Sequence, residues 1–140
     1  MANEHIMYDG CITIYDIDRY FFDDEALEKM NNHLIQKNVN AYFDYPHIGG
    51  GAQDSFHQMI IIAIEIFRNI GSNAIYDIIK YTLSTIWNKI ENSKDKPTLY
   101  IECNNLHIEL DYGFDLTDEQ KDMVIEKSLN FIQENIKSID

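Results

Sequence analysis

Two aspartates, Asp16 and Asp18, stand two residues apart at the end of a segment that alternates like a β-strand. Residues at this spacing project to the same side of a strand, so both carboxylates could hold a hard cation such as Mg²⁺. A metal-dependent hydrolase built on this pair is therefore one hypothesis. The commoner interpretation of so short a motif is a pair of solvated carboxylates that lead into a helix.

Three consecutive glycines, Gly49, Gly50 and Gly51, form the most deformable stretch of the chain. Their N–H groups could form a nest that attracts an anion. A phosphate-binding loop of the P-loop kind continues with Gly-Lys-Ser or Gly-Lys-Thr, however, and here Asp54 follows and would repel an anion. A flexible connector is the favoured interpretation.

Two histidines, His47 and His57, bracket the glycines, and a metal or proton-transfer site is conceivable between them. Their spacing fits no zinc pattern. Cys103 and His107 flank a predicted turn, but a nucleophile also needs an orienting group and an oxyanion site, and neither is recognisable. The sequence therefore predicts no catalytic residue and no cofactor.

The chain is strongly acidic, with a formal charge of −13 at pH 7 and an isoelectric point near 4.6. Nucleic acids and anionic lipids need a basic face, so direct binding to either is not expected. A basic partner or a metal ion would suit this charge instead. The commoner role of such a charge is only to keep the domain soluble, and this is the favoured interpretation.

The remaining composition predicts a cytoplasmic protein. Cys11 and Cys103 have no CxxC spacing and are expected to be reduced and buried. The first residues show no basic segment followed by an apolar one, so no signal peptide is expected. The longest apolar run, residues 59–67, is about half of what a bilayer crossing needs, so no membrane span is expected. The richness in Ile, Asn, Lys and Tyr has a bacterial character.

Apolar periodicity predicts four elements in the first half of the chain. Residues 10–17 alternate and are rich in β-branched side chains, which predicts a strand. Acidic residues from Asp23 open a helix that reaches Asn38, and residues 39–45 form a second strand before Pro46. Residues 54–70 are apolar nearly all round and are predicted to form a second helix, which needs cover on most sides.

The second half predicts a helix, a hairpin and a closing helix. Isoleucines and Trp87 recur at spacings of three and four up to Ile90, and Ser72 or Asn73 could cap this third helix. Residues 98–103 and 106–111 alternate on either side of Asn104-Asn105, a pair suited to a two-residue turn. Thr117 opens a capping box, and apolar residues up to Ile136 line the last helix.

These elements predict one α+β domain over residues 1–140, in the order β-α-β-α-α-β-β-α. The sheet is expected to have four strands and to be mixed: a crossover joins the first two strands in parallel, and the hairpin is antiparallel. The helices are expected mainly on one face.

Aromatic and acidic residues cluster around the first two strands, and this composition suits contact with a basic protein partner. The predicted interaction residues share this neighbourhood or the glycine loop. They are Tyr20, Phe22, Tyr45, His47, Gly49, Gly50 and Gly51. The alternative is that the aromatics belong to the core and the acids cap helices.

The order of these features resembles small bacterial domains of the effector-associated constant component type. The resemblance spans most of residues 10–136, and it rests on the aromatic second strand, the junction from Gly49 to Asp54, the apolar segment, the helix through Ala74-Ile75-Tyr76-Asp77 and the hairpin with its terminal helix. It implies a non-enzymatic accessory of bacterial conflict or defence systems that acts as an adaptor beside separate effector enzymes. It implies no catalytic residue.

The favoured functional hypothesis is a bacterial interaction or adaptor protein. In it, the glycine loop and the predicted helix at 54–70 contact a partner protein or a second copy, which gives a homodimer. The first alternative is an acidic inhibitor or immunity protein that blocks a basic enzyme such as a nuclease. The second alternative is the hydrolase that uses Asp16 and Asp18.

Overall fold

The computed structural model describes residues 8–16, 22–44, 59–67, 70–91, 97–110 and 116–136. These segments contain three helices and five strands. In chain order they are β1 (Gly10–Asp16), α1 (Asp24–Gln36), β2 (Ala41–Asp44), β3 (Met59–Ile66), α2 (Ser72–Ile90), β4 (Thr98–Cys103), β5 (Leu106–Leu110) and α3 (Asp118–Ile136).

The strands form one mixed sheet in the order β2-β1-β3-β4-β5. Two β-α-β units make up most of it: β1 and β2 are parallel and joined through α1, and β3 and β4 are parallel and joined through α2. The units meet where β1 and β3 run antiparallel at the centre. The predicted α+β class, the mixed sheet, the parallel first pair and the antiparallel hairpin are confirmed.

The predicted helix at 54–70 is wrong where the structure describes it, because residues 59–66 form strand β3. Ile60, Ile62 and Ile64 are 3% exposed or less, whereas Ile61 and Ala63 between them are half-buried. This period of two belongs to a strand, and β-branched isoleucines favour extended backbone. The sheet therefore has five strands instead of four, and the order is β-α-β-β-α-β-β-α.

One hydrophobic cluster joins the three helices to a single face of the sheet. From the strands it takes the even-numbered isoleucines of β1 and β3 and, on β4, residues such as Leu99 and Ile101. From the helices it takes residues such as Met30, Ile86 and Ile132, each 1% exposed or less. The helices thus cover one face, as predicted, and the opposite face carries none of the three described helices.

Two of the predicted helix starts are confirmed by their hydrogen bonds. The Asp23 carboxylate accepts the N–H of Ala26 at 2.9 Å. Thr117 and Gln120 form the reciprocal capping box, because each backbone N–H donates to the other side chain, at 2.8 and 3.1 Å. The cap predicted for α2 is wrong: Gly71 holds the N-cap position and no side chain caps that helix.

The hairpin turn is confirmed at Asn104-Asn105. Both residues have positive φ, 55° and 66°, which matches a two-residue turn that follows the twist of the strands. The Asn104 side chain also donates to the Asn135 carbonyl at 2.6 Å and so fastens the turn to α3. None of the helices within the described ranges has the length and apolar character of a membrane span.

Candidate functional site

Asp16 lies at the end of β1 on the helix-covered side and is 9% exposed. Its Oδ2 accepts the backbone N–H of Phe22 at 3.0 Å, so the carboxylate fixes the chain where it enters α1. Such a bond gives Asp16 a structural role. Asp18 lies outside the described residues, so the hydrolase hypothesis stays a prediction.

Of the predicted interaction residues, the structure describes Phe22 alone. Phe22 is 2% exposed and belongs to the hydrophobic cluster, with the Lys89 ammonium 5.6 Å from its ring centroid. This position makes it a core residue and not an exposed contact. The others lie outside the described residues: Tyr20, Tyr45, His47, Gly49, Gly50 and Gly51, together with Asp54 and His57.

The structure does not bring Cys103 and His107 together as a catalytic pair. Cys103 is 2% exposed on the helix-covered side, and burial raises the pKa of its thiol to about 11. His107 pairs with Glu102 across the hairpin and is exposed on the opposite face. A neutral, buried thiol is a poor nucleophile.

The face of the sheet that none of the described helices covers is accessible, and we call it the open face. It is formed by alternate residues of all five strands. They are Cys11, Thr13, Tyr15, Tyr42, Asp44, Met59, Ile61, Ala63, Glu65, Thr98, Tyr100, Glu102, His107 and Glu109. All except Cys11 are half-buried or exposed.

Charge on the strands is of one sign. Each of the five strands contains one carboxylate and none contains Lys or Arg. Asp16 is the one that lies on the covered side, so the open face carries four, namely Asp44, Glu65, Glu102 and Glu109. The described lysines all lie in the helices or next to them: Lys29, Lys37, Lys80, Lys89, Lys121 and Lys127. The negative potential of the open face is therefore not offset by a described lysine on the same face.

Aromatic side chains lie between these carboxylates. Tyr15, Ile61 and Tyr100 are neighbours in one row across β1, β3 and β4. The next row contains Thr13, Ala63 and Glu102 and borders a depression of ≈ 340 Å³ that reaches the hairpin turn. The centre of the open face is thus apolar and aromatic, and its surroundings are acidic.

Tyr42 and Cys11 form a paired unit at one side of the open face. They are cross-strand neighbours whose side chains are hydrogen-bonded, and this bond is the main reason that the pKa of Tyr42 rises to about 12. Burial raises the pKa of Cys11, although its hydrogen bond to Tyr42 acts in the opposite direction. Tyr8 covers Tyr42 with a ring-centroid separation of 4.4 Å. Both side chains therefore stay neutral at neutral pH and act as packing groups.

A second concavity lies between α1 and α2 and has a volume of ≈ 390 Å³. Its lining includes Asp23, Glu25, Lys29 and Lys89, so its charges are balanced. Asp23 is already engaged by the N-terminus of α1. None of the charged or amide side chains that line this groove is buried, so the groove is a weaker candidate for a binding site than the open face.

Within the described ranges, no group of three or more His, Cys, Asp or Glu side chains is arranged to hold a metal ion. Comparison of the chain with protein families, curated proteins and solved structures finds no match. The site must therefore be interpreted from its own chemistry.

Sequence reasoning missed the open face because it assigned the central strand to a helix. Without β3, the aromatic residues of β1 and the acidic residues of β4 have no common surface. The signal was nevertheless present: residues 59–66 contain five isoleucines, and eight residues is a common strand length. The alternation predicted for the second hairpin strand is confirmed up to Leu110, because His107 and Glu109 are exposed and Leu110 is buried.

Proposed function

We propose that this chain is a non-enzymatic protein-interaction domain, acting as an adaptor, whose open face binds a basic surface of a partner protein. The observation that carries the proposal is the separation of charge between the two layers. Four carboxylates lie on the open face, and the described lysines belong to the helical layer. A basic partner gains attraction at the open face that the mixed charges of the helices cannot provide.

The aromatic row supplies the contact area that electrostatics alone does not. Tyr15 and Tyr100 flank Ile61 at the centre of the open face. Tyrosine offers a large, stiff contact surface at low entropic cost and is enriched in protein interfaces. An apolar centre with a charged rim is also the usual anatomy of an interface.

This surface takes the place of the helical part of the surface expected from sequence, whereas the glycine loop lies outside the described residues. The apolar segment at 59–66, which was expected to contact a partner as part of a helix, forms strand β3 instead. Its buried isoleucines belong to the core. The proposed adaptor role is one in bacterial conflict systems, as the family resemblance implies. The genes beside this one test it: effector enzymes encoded there would support the role.

An acidic inhibitor is the second candidate function, and the same four carboxylates favour it. A face with this charge could occupy the basic substrate-binding surface of an enzyme such as a nuclease. The two candidates differ in consequence. An adaptor leaves the activity of its partner intact, whereas an inhibitor suppresses that activity at stoichiometric concentration.

The test compares two double variants with equal changes of charge. Glu65→Gln with Glu102→Gln removes two charges from the open face, and Glu28→Gln with Glu126→Gln removes two from exposed positions on α1 and α3. Each variant and the parent chain are used as bait in the native host. We expect one basic partner to be captured by the parent chain and the helical variant, and to be lost with the open-face variant.

Purified partner and parent chain should then associate with a dissociation constant that weakens as salt rises, because exposed charges are screened. Equal loss of the partner with both double variants would reject the open face as the site. Binding that is indifferent to salt would reject the electrostatic basis. The catalytic activity of the captured protein, measured with and without this chain, separates adaptor from inhibitor.

A further inference from the structure

The sheet has two edge strands in the described residues, and the outer edge of β5 has no partner strand. The opposite edge, at β2, is occupied: the Asn31 side chain binds both the N–H and the carbonyl of Phe43. On β5, Leu106 is 57% exposed, and His107 and Glu109 are exposed. An exposed edge is a template for pairing with another strand.

The hairpin geometry tells which backbone groups of β5 point outward. In a two-residue hairpin the residues that flank the turn, here Cys103 and Leu106, exchange hydrogen bonds with each other. Hydrogen-bonded and non-hydrogen-bonded pairs then alternate along the ladder. His107 and Glu109 are therefore the residues whose N–H and carbonyl groups face away from β4.

We infer that a second copy of this chain binds along this edge, with the two β5 strands antiparallel and related by a two-fold axis at Ile108. In that register His107 of each copy lies opposite Glu109 of the other, so the outward backbone groups of both residues pair. The two sheets become one continuous ten-stranded sheet. This surface is separate from the open face that the proposed function uses.

The match between the imidazole of His107 and the carboxylate of Glu109 selects this register and this occupant. Pairing His107 with its own copy places two histidines opposite each other, and pairing Glu109 with its own copy places two carboxylates together. The register centred on Ile108 instead places each histidine opposite a carboxylate, where an imidazole N–H can donate to a carboxylate oxygen, and such cross-strand pairs are stabilising. It also brings the exposed Leu106 beside Leu110 of the other copy, which covers an apolar side chain.

The net charge predicts how this association responds to salt. Each copy carries a formal charge of −13, so two copies repel at long range. Salt screens this long-range repulsion more than it weakens the close contacts between the two β5 strands. The dimer is therefore favoured as the salt concentration rises. Binding of a basic partner to the open face responds in the opposite direction. The failure of one proposal is therefore distinguishable from the failure of the other.

Sedimentation equilibrium of the full chain in about 0.3 M NaCl, where charge repulsion is screened, tests the inference. We expect a monomer–dimer equilibrium that His107→Glu weakens about tenfold, because two attractive pairs become repulsive. Adding Glu109→Lys to His107→Glu places a glutamate opposite a lysine in both pairs and should restore the dimer. Asn32→Glu, an exposed position on α1, makes the same change of charge elsewhere and should leave the equilibrium unchanged.

Crosslinking fixes the register independently. Ile108→Cys places two thiols at the two-fold axis and should form an intermolecular disulfide under mild oxidation. Leu106→Cys on the same strand should form it at least tenfold more slowly, because Leu106 lies opposite Leu110. A parent chain that stays monomeric at all soluble concentrations would overturn the inference. So would a folded double charge variant that fails to recover dimerisation, or equal crosslinking rates at the two positions.

Discussion

The side-chain amide of Asn31 takes the place of a neighbouring strand beside Phe43. The N–H of Phe43 donates to Asn31 Oδ1 at 2.7 Å, and Asn31 Nδ2 donates to the Phe43 carbonyl at 3.0 Å. Phe43 lies in edge strand β2, whose other side pairs with β1. A helix residue thus satisfies the backbone groups at one edge of the sheet, where another chain could otherwise pair.

Replacing Asn31 with Ala should lower the free energy of unfolding by about 2 kcal/mol, because two backbone groups lose their partners at a partly buried site. Urea unfolding followed by circular dichroism measures the change. Asn32→Ala on the same helix is the matched control: Asn32 is exposed, so its loss should cost less than about 0.5 kcal/mol. Equal costs for the two variants would show that the amide of Asn31 does not secure the edge.

Alanine substitutions along β3 should alternate in their effect on stability. Ile62 is 1% exposed and its replacement should cost about 3 kcal/mol, whereas Ile61 is half-buried on the open face and its replacement should cost markedly less. Chemical denaturation of Ile60→Ala, Ile61→Ala and Ile62→Ala gives the pattern. High cost at every position, or at intervals of three and four, would contradict a strand at the centre of the sheet.

Local signals in the sequence were enough to predict most elements of this fold. Thr117 and Gln120 predict the start of α3, because their side chains form hydrogen bonds with nearby backbone N–H groups. Asn104-Asn105 predicts the hairpin turn, because asparagine tolerates positive φ. Each of these signals depends on residues a few positions apart. They are therefore visible without knowledge of the tertiary structure.

The central strand was not predictable in the same way. A run such as residues 59–66 is apolar on both faces, so it lacks the polar alternation that distinguishes a strand from a buried helix. Ile61 is half-buried and lies between two tyrosines on β1 and β4, and that arrangement is set by the order of strands in the sheet. The open face, and with it the candidate site, could only be identified from the topology.

Acidification should destabilise the protein through His33. Its ring stacks on Tyr81 at a centroid separation of 3.7 Å, and burial, followed by the charge of Lys37, lowers its pKa from 6.5, although Asp77 acts in the opposite direction. The folded state therefore favours the neutral ring, and this contribution to stability is present above about 6.5 and is lost as pH falls below it.

His33→Phe keeps an aromatic ring on Tyr81 but cannot bind a proton. Melting temperatures measured for both proteins from neutral pH downward should show a shallower decline in the variant just below pH 6.5. Carboxylates titrate at lower pH in both proteins, so the difference between the curves isolates the histidine. Parallel curves would mean that protonation of His33 is not coupled to folding.

The two asparagines of the hairpin turn should respond differently to glycine. Asn104→Gly removes the hydrogen bond to the Asn135 carbonyl and should lower the free energy of unfolding by about 1 kcal/mol. Asn105→Gly keeps that bond and places glycine at a φ of 66°, where it fits without strain, so stability should be unchanged or slightly higher. Thermal unfolding of the two variants measures the contrast, and a lower stability for Asn105→Gly would contradict it.

Alkaline conditions should destabilise the protein through Cys103. Burial raises the pKa of this thiol from 9.0 to about 11, so the folded state favours the neutral form. This contribution to the free energy of unfolding is fully present below about pH 9. It falls by about 2 kcal/mol in all as pH rises towards 11, because the thiol loses its proton in the unfolded chain before it does so in the folded one. Cys103→Ala removes the ionising group, so its free energy of unfolding should fall less steeply over the same range.

Urea titrations of both proteins at several alkaline pH values measure how steeply the free energy of unfolding falls with pH. Lysines and tyrosines ionise in both proteins, so the difference between the two slopes isolates the thiol. Identical slopes would show that the thiol does not ionise on unfolding.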